Sequence, residues 1–386
     1  MSVAFDKRVK RRVCAREHEF FASCAPGVEP LLERELESLG YTGLIPDRGG
    51  VGFACRPHEM YEANLASRLA NRVIMRVASF TVRDFPALER AAESIDWELY
   101  LPAGAVVSVH AACRKSRLYH DTAVSERVLA AALRRLGPPG AGTGAAQQVF
   151  VRLVNDRATV SVDTSGPLLH FRGVKDHGGR APLRETLAAA VLHAAEWGPN
   201  VVLADPMCGS GAFTVEAAAM VSQVPPGWFR DFAFMSWPGF EPGRWAALGR
   251  RYQARFRSPE KPVVHASDSD ASACLRLGEA LAGHGLADAA VVRPADFFHL
   301  DPGTLAGKPG LLVLNPPYGV RLHDPERARE LFSRICARMG SRWKGWRAAV
   351  LCPDPAWMPE LPLPCPKVLR FAHGGLDVHL AVGGVR

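Results

Sequence analysis

The stretch Val201-Val202-Leu203-Ala204-Asp205-Pro206-Met207-Cys208-Gly209-Ser210-Gly211 decides the fold of this 386-residue chain. Its first four residues are apolar, which predicts a short buried strand. Residues 213–221 are rich in alanine and predict a helix that ends before Pro225-Pro226. A strand, a Gly-x-Gly turn and a helix form the nucleotide-binding start of a doubly wound parallel sheet. We therefore predict an α/β domain of the Rossmann type, with its ligand beyond the carboxyl ends of the strands.

The composition of the glycine turn separates two kinds of cofactor. The dinucleotide fingerprint needs a third glycine, and position 214 is Thr, so an NAD or FAD site is disfavoured. S-adenosylmethionine carries no phosphate and needs close approach to the backbone, which glycine permits. Asp205 is placed to fix the turn and to receive the ammonium group of that ligand. The turn residues expected to contact the cofactor are Asp205, Met207, Cys208, Gly209, Ser210 and Gly211.

Acidic residues follow the next predicted strand. Residues 263–266 predict this second strand, and Asp268 and Asp270 come directly after it. An acid at this point can accept hydrogen bonds from both ribose hydroxyls of the cofactor. Asp268 is the better placed of the two, and Asp270 is the alternative.

A third predicted strand leads into Asp296-Phe297, after a predicted helix over 271–282. The carboxylate of Asp296 can accept a hydrogen bond from the adenine amino group, and Phe297 can line the face of the base. A lone acid at a strand end is often only a helix cap. Acceptor side chains at successive strand ends form a pattern that chance seldom produces.

The tetrapeptide Asn315-Pro316-Pro317-Tyr318 closes the apolar run 311–314. The amide oxygen of Asn315 and the carbonyl of Pro316 can both accept hydrogen bonds from an exocyclic amino group. Each proline fixes its own φ, and Pro317 also biases the preceding residue toward an extended conformation. Tyr318 can stack on the base. These residues predict a catalytic site in which fixed dipoles prepare the amino nitrogen for attack, and Asn315 is also expected to contact the cofactor.

These motifs resemble those of the THUMP-domain RNA methyltransferases, in particular the N-terminal half of the RlmL-type 23S rRNA guanine-N2 enzymes. The resemblance extends over almost the whole chain. Its further stretches are Phe20-Phe21-Ala22-Ser23, His170-Phe171-Arg172-Gly173, residues 181–188, the insertion around 226–229, and Gly375-Leu376-Asp377. The chain ends at Arg386, without the second methyltransferase unit fused in enterobacterial relatives, so a single activity is expected.

The resemblance implies a domain order. It places a basic arm and a ferredoxin-like domain in residues 1–60, a THUMP RNA-binding domain in 61–165, a linker in 166–181 and a Rossmann-like class I methyltransferase domain in 182–386. It also implies S-adenosyl-L-methionine as cofactor and RNA as partner, either 23S rRNA or a large-subunit precursor.

Periodicity adds several elements to this outline. It predicts a helix over 122–136, a hairpin of residues 149–154 and 158–162 about Asn155-Asp156, and a strand over 348–352. The last strand, 377–382, is expected to insert antiparallel into a seven-stranded sheet.

Composition narrows the class of protein. The formal charge of +8 favours a polyanionic partner, and the residues expected to contact RNA are Arg114, Lys115, Arg117, Arg172 and Lys175. The basic run 7–12 predicts a disordered arm. Nine cysteines without paired short spacing indicate reduced thiols in a cytoplasm. No apolar run is long enough to span a membrane, no metal-spaced His/Cys cluster occurs, and the sequence leaves the oligomeric state open.

Other functions fit parts of the same pattern. The tetrapeptide also suits N6-adenine methylation of DNA or RNA, and some THUMP relatives methylate guanine N2 in tRNA. A non-enzymatic RNA-binding assembly factor is a third alternative. That alternative predicts a degraded tetrapeptide or a broken Gly-x-Gly turn, and both motifs are intact in this chain.

Overall fold

The computed structural model describes residues 3–138, 140, 146–175, 183–317, 325–352, 354–373 and 376–386. Two compact units make up the chain. The first comprises Met1–Cys24, Leu32–Leu169 and Arg230–Arg250, and the second comprises Ala25–Leu31, His170–Phe229 and Arg251–Arg386. The segment Arg230–Arg250 thus packs with the first unit, although the chain on both sides of it belongs to the second.

The elements before residue 164 are the seven strands of the first sheet and the helices between and before them. The helices are α1 (Val3–Val9), α2 (Glu29–Ser38), α3 (Met60–Ala66), α4 (Phe85–Glu93) and α5 (Asp121–Leu136), with a π-helical turn over Lys10–Cys14 and a 3-10 turn over Trp97–Leu99. The strands are β1 (His18–Ser23), β2 (Ile45–Asp47), β3 (Gly50–Cys55), β4 (Arg72–Thr81), β5 (Val107–Arg114), β6 (Gln147–Val154) and β7 (Arg157–Asp163).

This sheet has the strand order β2-β3-β1-β4-β7-β6-β5, so strands on both sides of residue 60 belong to it. All neighbouring pairs are antiparallel except β5 and β6, which are parallel. The expected hairpin is confirmed: β6 and β7 pair about Asn155 and Asp156, whose φ angles are 51° and 63°. Two consecutive positive φ values are typical of the tight turns that match strand twist.

The expectation of a disordered basic arm is wrong. Residues 3–14 are helical, and Val9 and Val13 are buried. Nη2 of Arg8 lies 2.9 Å from Oε1 of Glu98, and Nη1 of Arg12 lies 2.6 Å from Oδ2 of Asp96. Apolar side chains spaced four residues apart and acidic partners remote in sequence therefore order this run.

The elements after residue 184 include the seven strands of the second sheet; among the others, the turn over 233–236 and most of the helix that begins at Pro242 lie in the segment Arg230–Arg250 of the first unit. The helices are α6 (Glu185–Ala194), α7 (Ala212–Val221), α8 (Pro242–Gln253), α9 (Ala271–Gly283) and α10 (Pro325–Arg342), with 3-10 turns over Ala233–Ser236, Ala287–Ala289, Phe297–His299, Pro302–Thr304 and Pro355–Glu360. The strands are β8 (Leu203–Asp205), β9 (Val264–Asp268), β10 (Ala290–Pro294), β11 (Leu311–Leu314), β12 (Arg347–Cys352), β13 (Lys367–His373) and β14 (Leu376–Gly384).

The second sheet has the order β10-β9-β8-β11-β12-β14-β13. Strands β10, β9, β8, β11 and β12 are parallel, and β14 pairs antiparallel with β12 and with β13. The expected antiparallel insertion of the last strand is confirmed. The edge strand β13 was not predicted.

Helix α10 and strands β11 and β12 enclose a large apolar core. Phe332, Ile335 and Trp343 of this cluster are almost fully buried, as are Leu312 and Val350 of the two strands. Continuous apolar runs are expected where a parallel sheet is covered on both faces. This packing fixes the carboxyl ends of the strands, where the predicted site residues lie.

Candidate active site

Four predicted site residues lie at the carboxyl ends of four neighbouring parallel strands. Asp296, Asp268, Asp205 and Asn315 end or follow β10, β9, β8 and β11, which are adjacent in that order. Strand β8 is the first strand of this sheet along the chain. The next two strands, β9 and β10, are added on one side of it, and the chain then crosses over to add β11 and β12 on the other side. Such a reversal of strand order is where open α/β sheets bind their ligands.

Asp205 is a buried carboxylate at the centre of this edge. Its Oδ2 accepts a 2.7 Å hydrogen bond from Oγ1 of Thr214, and the residue is 1% exposed. Burial raises the pKa of Asp205 to about 7, and the negative charge of Asp268 adds to this. The Thr214 hydroxyl and the ammonium of Lys175 act in the opposite direction. A cationic group of a ligand would have the same effect as Lys175, which suits Asp205 to receive an ammonium.

Thr214 is a site residue that sequence reasoning missed. In the sequence it stands where the dinucleotide fingerprint has its third glycine. The structure shows that its hydroxyl holds the carboxylate of Asp205 in place. A hydroxyl residue at the position of that third glycine, one turn into the helix, is the sequence signal that could have identified it.

Backbone hydrogen bonds hold the glycine turn against the neighbouring strand. The amide of Gly209 donates to Oδ2 of Asp268 at 2.8 Å, and that of Cys208 donates to the carbonyl of Ser267 at 3.0 Å. Cys208 is buried, which raises the pKa of its thiol, so it is a packing residue rather than a nucleophile. Met207 packs on the apolar core of the sheet, and Ser210 is exposed.

The two glycines of the turn serve different needs. Both have positive φ, 50° for Gly209 and 77° for Gly211. A Cβ on Gly211 would overlap the side chain of Leu277, so this position is small because α9 packs against it. A Cβ on Gly209 would meet no atom within 4 Å. Open space therefore lies beside Gly209, where a ligand can approach the backbone.

The two acids after β9 have distinct roles. Asp268 links the end of β9 to the glycine turn: its Oδ1 accepts the amide of Asp270 at 3.0 Å, and its Oδ2 accepts the amide of Gly209. Asp270 is exposed and caps α9, because its Oδ1 accepts the amides of Ser272 at 2.9 Å and Ala273 at 3.2 Å. Of the two, Asp268 lies within the site, and Asp270 belongs to the helix start.

The structure corrects the expectation for Phe297. Asp296 keeps an exposed carboxylate, with Oδ1 accepting the amide of Phe298 at 2.9 Å. Phe297 is only 2% exposed and stacks on Trp343 with 6.0 Å between ring centroids. Its ring therefore fills the core instead of lining a base. Phe298, the next residue, is half-buried, and the guanidinium of Arg334 lies 4.7 Å from its centroid.

Asn315 carries an unsatisfied buried acceptor. Its Oδ1 has no hydrogen-bond partner within the described residues and is shielded from solvent. Leaving a buried polar atom unpaired costs about 1–3 kcal/mol, and such atoms in native proteins call for an explanation. Pro316 is buried and Pro317 half-buried, whereas Tyr318 lies outside the described residues. The amide oxygen at the end of β11 is thus available to a donor that the described residues do not supply.

Two of the five residues expected to contact RNA are engaged inside the protein. Arg172 is buried, and its Nε donates to Oε1 of Glu216 at 2.7 Å. Lys175 is mostly buried, and its Nζ lies 2.7 Å from Oε1 of Glu185. A charge that is taken out of water must be paired. These two cations therefore neutralise buried carboxylates of the protein instead of contacting RNA. Arg114, Lys115 and Arg117 are exposed and remain candidates.

Neither a metal-ligating cluster nor a membrane-spanning helix occurs within the described residues. Over these ranges, no group of three or more His, Cys, Asp or Glu side chains is arranged to hold a metal ion. Over the same ranges, no helix combines the length and the apolar character needed to cross a bilayer.

The fold and the site define a class I methyltransferase domain that uses S-adenosylmethionine. Residues 172–358 match the family model of the RMKL-like methyltransferase domain, and residues 19–74 match that of the RlmL ferredoxin-like domain. The chain therefore carries an RlmL-like methyltransferase domain and an RlmL-type ferredoxin-like domain, which confirms the resemblance of its motifs.

Individual relatives agree with this assignment. The chain is 32% identical over 377 residues to a protein of Syntrophotalea carbinolica named Ribosomal RNA large subunit methyltransferase K/L, an alignment that covers 94% of this chain and 53% of the relative. The chain spans about half the length of the curated relatives it matches.

Solved structures share the whole architecture. A crystal structure of a candidate methyltransferase complexed with SAH is 26% identical, with a TM-score of 0.85 and coverage of 96% of this chain and 99% of that one. A Listeria monocytogenes protein, named as a predicted N6-adenine-specific DNA methylase, has a crystal structure that is also 26% identical, with a TM-score of 0.84 and coverage of 100% and 99%.

Proposed function

We propose that this protein transfers a methyl group from S-adenosylmethionine to the exocyclic N2 amino group of a guanine in 23S rRNA. The observation that carries the proposal is the buried Oδ1 of Asn315, at the strand end next to Asp205, which has no hydrogen-bond partner among the described residues. An exocyclic amino group offers two N–H donors. One would bind Oδ1 of Asn315 and the other the carbonyl of Pro316.

The residues present fit the cofactor. Asp205 would receive the ammonium, the space beside Gly209 would admit the ligand to the backbone, and Asp268 and Asp296 would accept hydrogen bonds from the ribose and the adenine. When bound, the cofactor supplies an activated methyl group on its sulfonium. The chain supplies alignment and fixed acceptors: binding both N–H groups keeps the nitrogen lone pair directed at the methyl carbon.

The target base has to leave its stack before it can reach these acceptors. An amino group inside a helix is held by base pairing, so enzymes that act on such a group extrude the nucleotide or use an unpaired one. The chain's net charge of +8 supports a polyanionic substrate. The name of the Syntrophotalea relative supports ribosomal RNA of the large subunit. All nine cysteines are free thiols, which supports a reducing cytoplasm as the place of action.

Methylation of adenine N6 is the second candidate function. The name of the Listeria protein favours it, and an adenine amino group offers the same two donors to Asn315 and Pro316. Guanine N2 in tRNA is a further variant of the first function. These candidates differ in the product and in the nucleic acid that carries it.

A direct assay separates these candidates. Purified protein is incubated with methyl-labelled cofactor and, in parallel, with 23S rRNA, tRNA and DNA, and the product nucleosides are identified by mass spectrometry. We expect N2-methylguanosine in 23S rRNA, formed about 10²–10³-fold more slowly by an Asn315→Ala variant. N6-methyladenine as the sole product would overturn the guanine assignment, and product in tRNA alone would overturn the rRNA assignment.

A further inference from the structure

The loop between β5 and α5, residues Arg114–His120, combines exposed cations with an exposed aromatic ring. We refer to it as the 114–120 loop. Tyr119 is 69% exposed. Tyrosine is more commonly half-buried in folded proteins. Arg114, Lys115 and Arg117 of the same loop are all exposed. Tyr119 is not among the residues that the sequence predicts to contact RNA.

The side-chain cations of this loop have no acidic ion-pair partner among the described residues. Within the described ranges, Arg114, Lys115 and Arg117 form no ion pair. The two nearby acids contact backbone amides rather than these side chains: Oδ1 of Asp121 accepts the amide of Cys113 at 2.8 Å, and Oδ1 of Asp156 accepts the amide of Arg117 at 2.8 Å. Oδ2 of Asp156 lies 3.5 Å from Nε of Arg83.

Basic residues of helix α5 show the contrast. Nη2 of Arg134 lies 2.8 Å from Oε1 of Glu93, and Nη2 of Arg135 lies 2.7 Å from Oδ1 of Asp96. These side chains are also exposed, but they are already paired. Within the described residues, the three cations of the 114–120 loop are therefore unpaired, whereas Arg134 and Arg135 are paired.

Local hydrogen bonds and one buried side chain fix the loop. Oγ of Ser116 donates to the carbonyl of Arg114 at 2.9 Å and accepts the amide of Asp156 at 3.0 Å. Leu118 is buried beneath the loop, and the ring of His120 lies against that of Tyr119 with 4.1 Å between centroids. A ring that is already restrained loses less conformational freedom on binding.

We propose that the 114–120 loop binds an unpaired segment of RNA, with Arg114, Lys115 and Arg117 on successive phosphates and Tyr119 stacked on a base. Bases within a duplex have both faces covered, so an exposed ring next to cations selects unstacked nucleotides. The inference rests on the proposed RNA substrate. The first unit would bind an unpaired segment of that RNA, and Tyr119 would be the residue that distinguishes single strands from duplex.

The test compares Tyr119→Ala and Tyr119→Phe with the unaltered chain. Affinity is measured by fluorescence anisotropy for a labelled single-stranded RNA of about ten nucleotides and for a blunt duplex of the same length. We expect Tyr119→Ala to weaken single-strand binding about 5- to 150-fold, duplex binding to change less than about twofold, and Tyr119→Phe to retain affinity. Equal loss on both probes, or a Phe variant as weak as the Ala variant, would overturn the stacking role.

Salt dependence tests the cations separately. Replacing Arg114, Lys115 and Arg117 by Ala should reduce the slope of log K against log salt by about 2 for the single strand, since each phosphate contact contributes about 0.7. The matched control is Arg134→Ala, which removes an exposed cation already paired with Glu93. A control that lowers the slope as much per charge would place the contact elsewhere on the surface.

Methylation of 23S rRNA is measured in parallel with the same variants. Activity of the unaltered chain, with no effect of Tyr119→Ala on single-strand affinity, would overturn this inference and leave the proposed function standing. Loss of single-strand affinity in that variant, with no methylation of rRNA by any form, would overturn the proposed function and leave the RNA contact.

Discussion

The Nε of Arg172 donates a 2.7 Å hydrogen bond to Oε1 of Glu216, and the two side chains are 4% and 1% exposed. The pair joins the segment before the second sheet to helix α7, which carries the glycine turn at its start. Removing one member of such a pair leaves an uncompensated charge in the interior, which is far more costly than losing an exposed pair.

The first prediction concerns stability. Arg172→Ala should lower the free energy of unfolding by about 3–5 kcal/mol, measured by urea denaturation. The double variant Arg172→Met with Glu216→Leu should recover most of this loss, because no buried charge remains. The surface control Arg134→Ala should cost less than about 1 kcal/mol. The Arg172→Ala protein could instead be stable, with a lower affinity for single-stranded RNA and a smaller dependence of that affinity on salt. That outcome would show that Arg172 contacts RNA.

The difference between Arg172 and Arg114 shows what the sequence alone could not supply. Both lie in basic stretches, and local composition contains no measure of burial. Glu216, the partner that makes Arg172 an interior residue, is 44 positions away in sequence. The ordering of residues 3–14 was missed for the same reason, since Asp96 and Glu98 are remote in the chain.

The sequence predicted an element correctly where the spacing of its apolar residues and the residues of the following turn indicated the same boundaries. Strand β11 was predicted to the residue because four apolar residues end at Asn315-Pro316. The placement of Asp205, Asp268 and Asn315 at one edge of the sheet followed from the predicted strand ends, since parallel strands bring their carboxyl ends to one edge. Phe297 was misassigned because only the register of the turn after β10 decides which of two adjacent rings enters the core.

The second prediction concerns Asn315. Asn315→Ala removes the acceptor that would hold the substrate amino group, so turnover should fall about 10²–10³-fold, the usual cost of losing one preorganised hydrogen-bond partner. Affinity for S-adenosylhomocysteine, measured by calorimetry, should change little. Asn315→Asp keeps an oxygen in the same place and should retain more turnover than the Ala variant. Unchanged turnover in Asn315→Ala would exclude this residue from the reaction.

The third prediction concerns pH. The pKa of Asp205 is raised to about 7 by burial, from 3.8. Because the folded protein holds this proton more tightly than the unfolded chain, the stability contributed by Asp205 is lost progressively as pH rises from about 4 to about 7. Its carboxylate becomes available to a cationic ligand over the upper part of the same range. Affinity for S-adenosylhomocysteine should therefore increase up to about tenfold between pH 6 and pH 8.

Asp205→Asn is the control for this effect, since the amide has nearly the same shape and does not titrate. Its affinity should be lower at pH 8 and almost independent of pH. The unfolding free energy of the unliganded variant should also lose the decline between about pH 4 and pH 7. An affinity profile that keeps its rise in Asp205→Asn would assign the titration to a different group.

The fourth prediction separates the two glycines of the cofactor turn. Alanine at either position is strained by about 1–2 kcal/mol because φ is positive. At Gly211 the added methyl also overlaps Leu277, and overpacking adds about 1–3 kcal/mol. Gly211→Ala should therefore be the less stable variant by thermal denaturation, and Leu277→Ala in the same chain should restore part of the loss.

At Gly209 the methyl enters the open space where the cofactor would lie. Gly209→Ala should thus lose affinity for S-adenosylhomocysteine with only a modest loss of stability. Equal cofactor affinity in Gly209→Ala and the unaltered chain would show that the ligand does not approach this backbone.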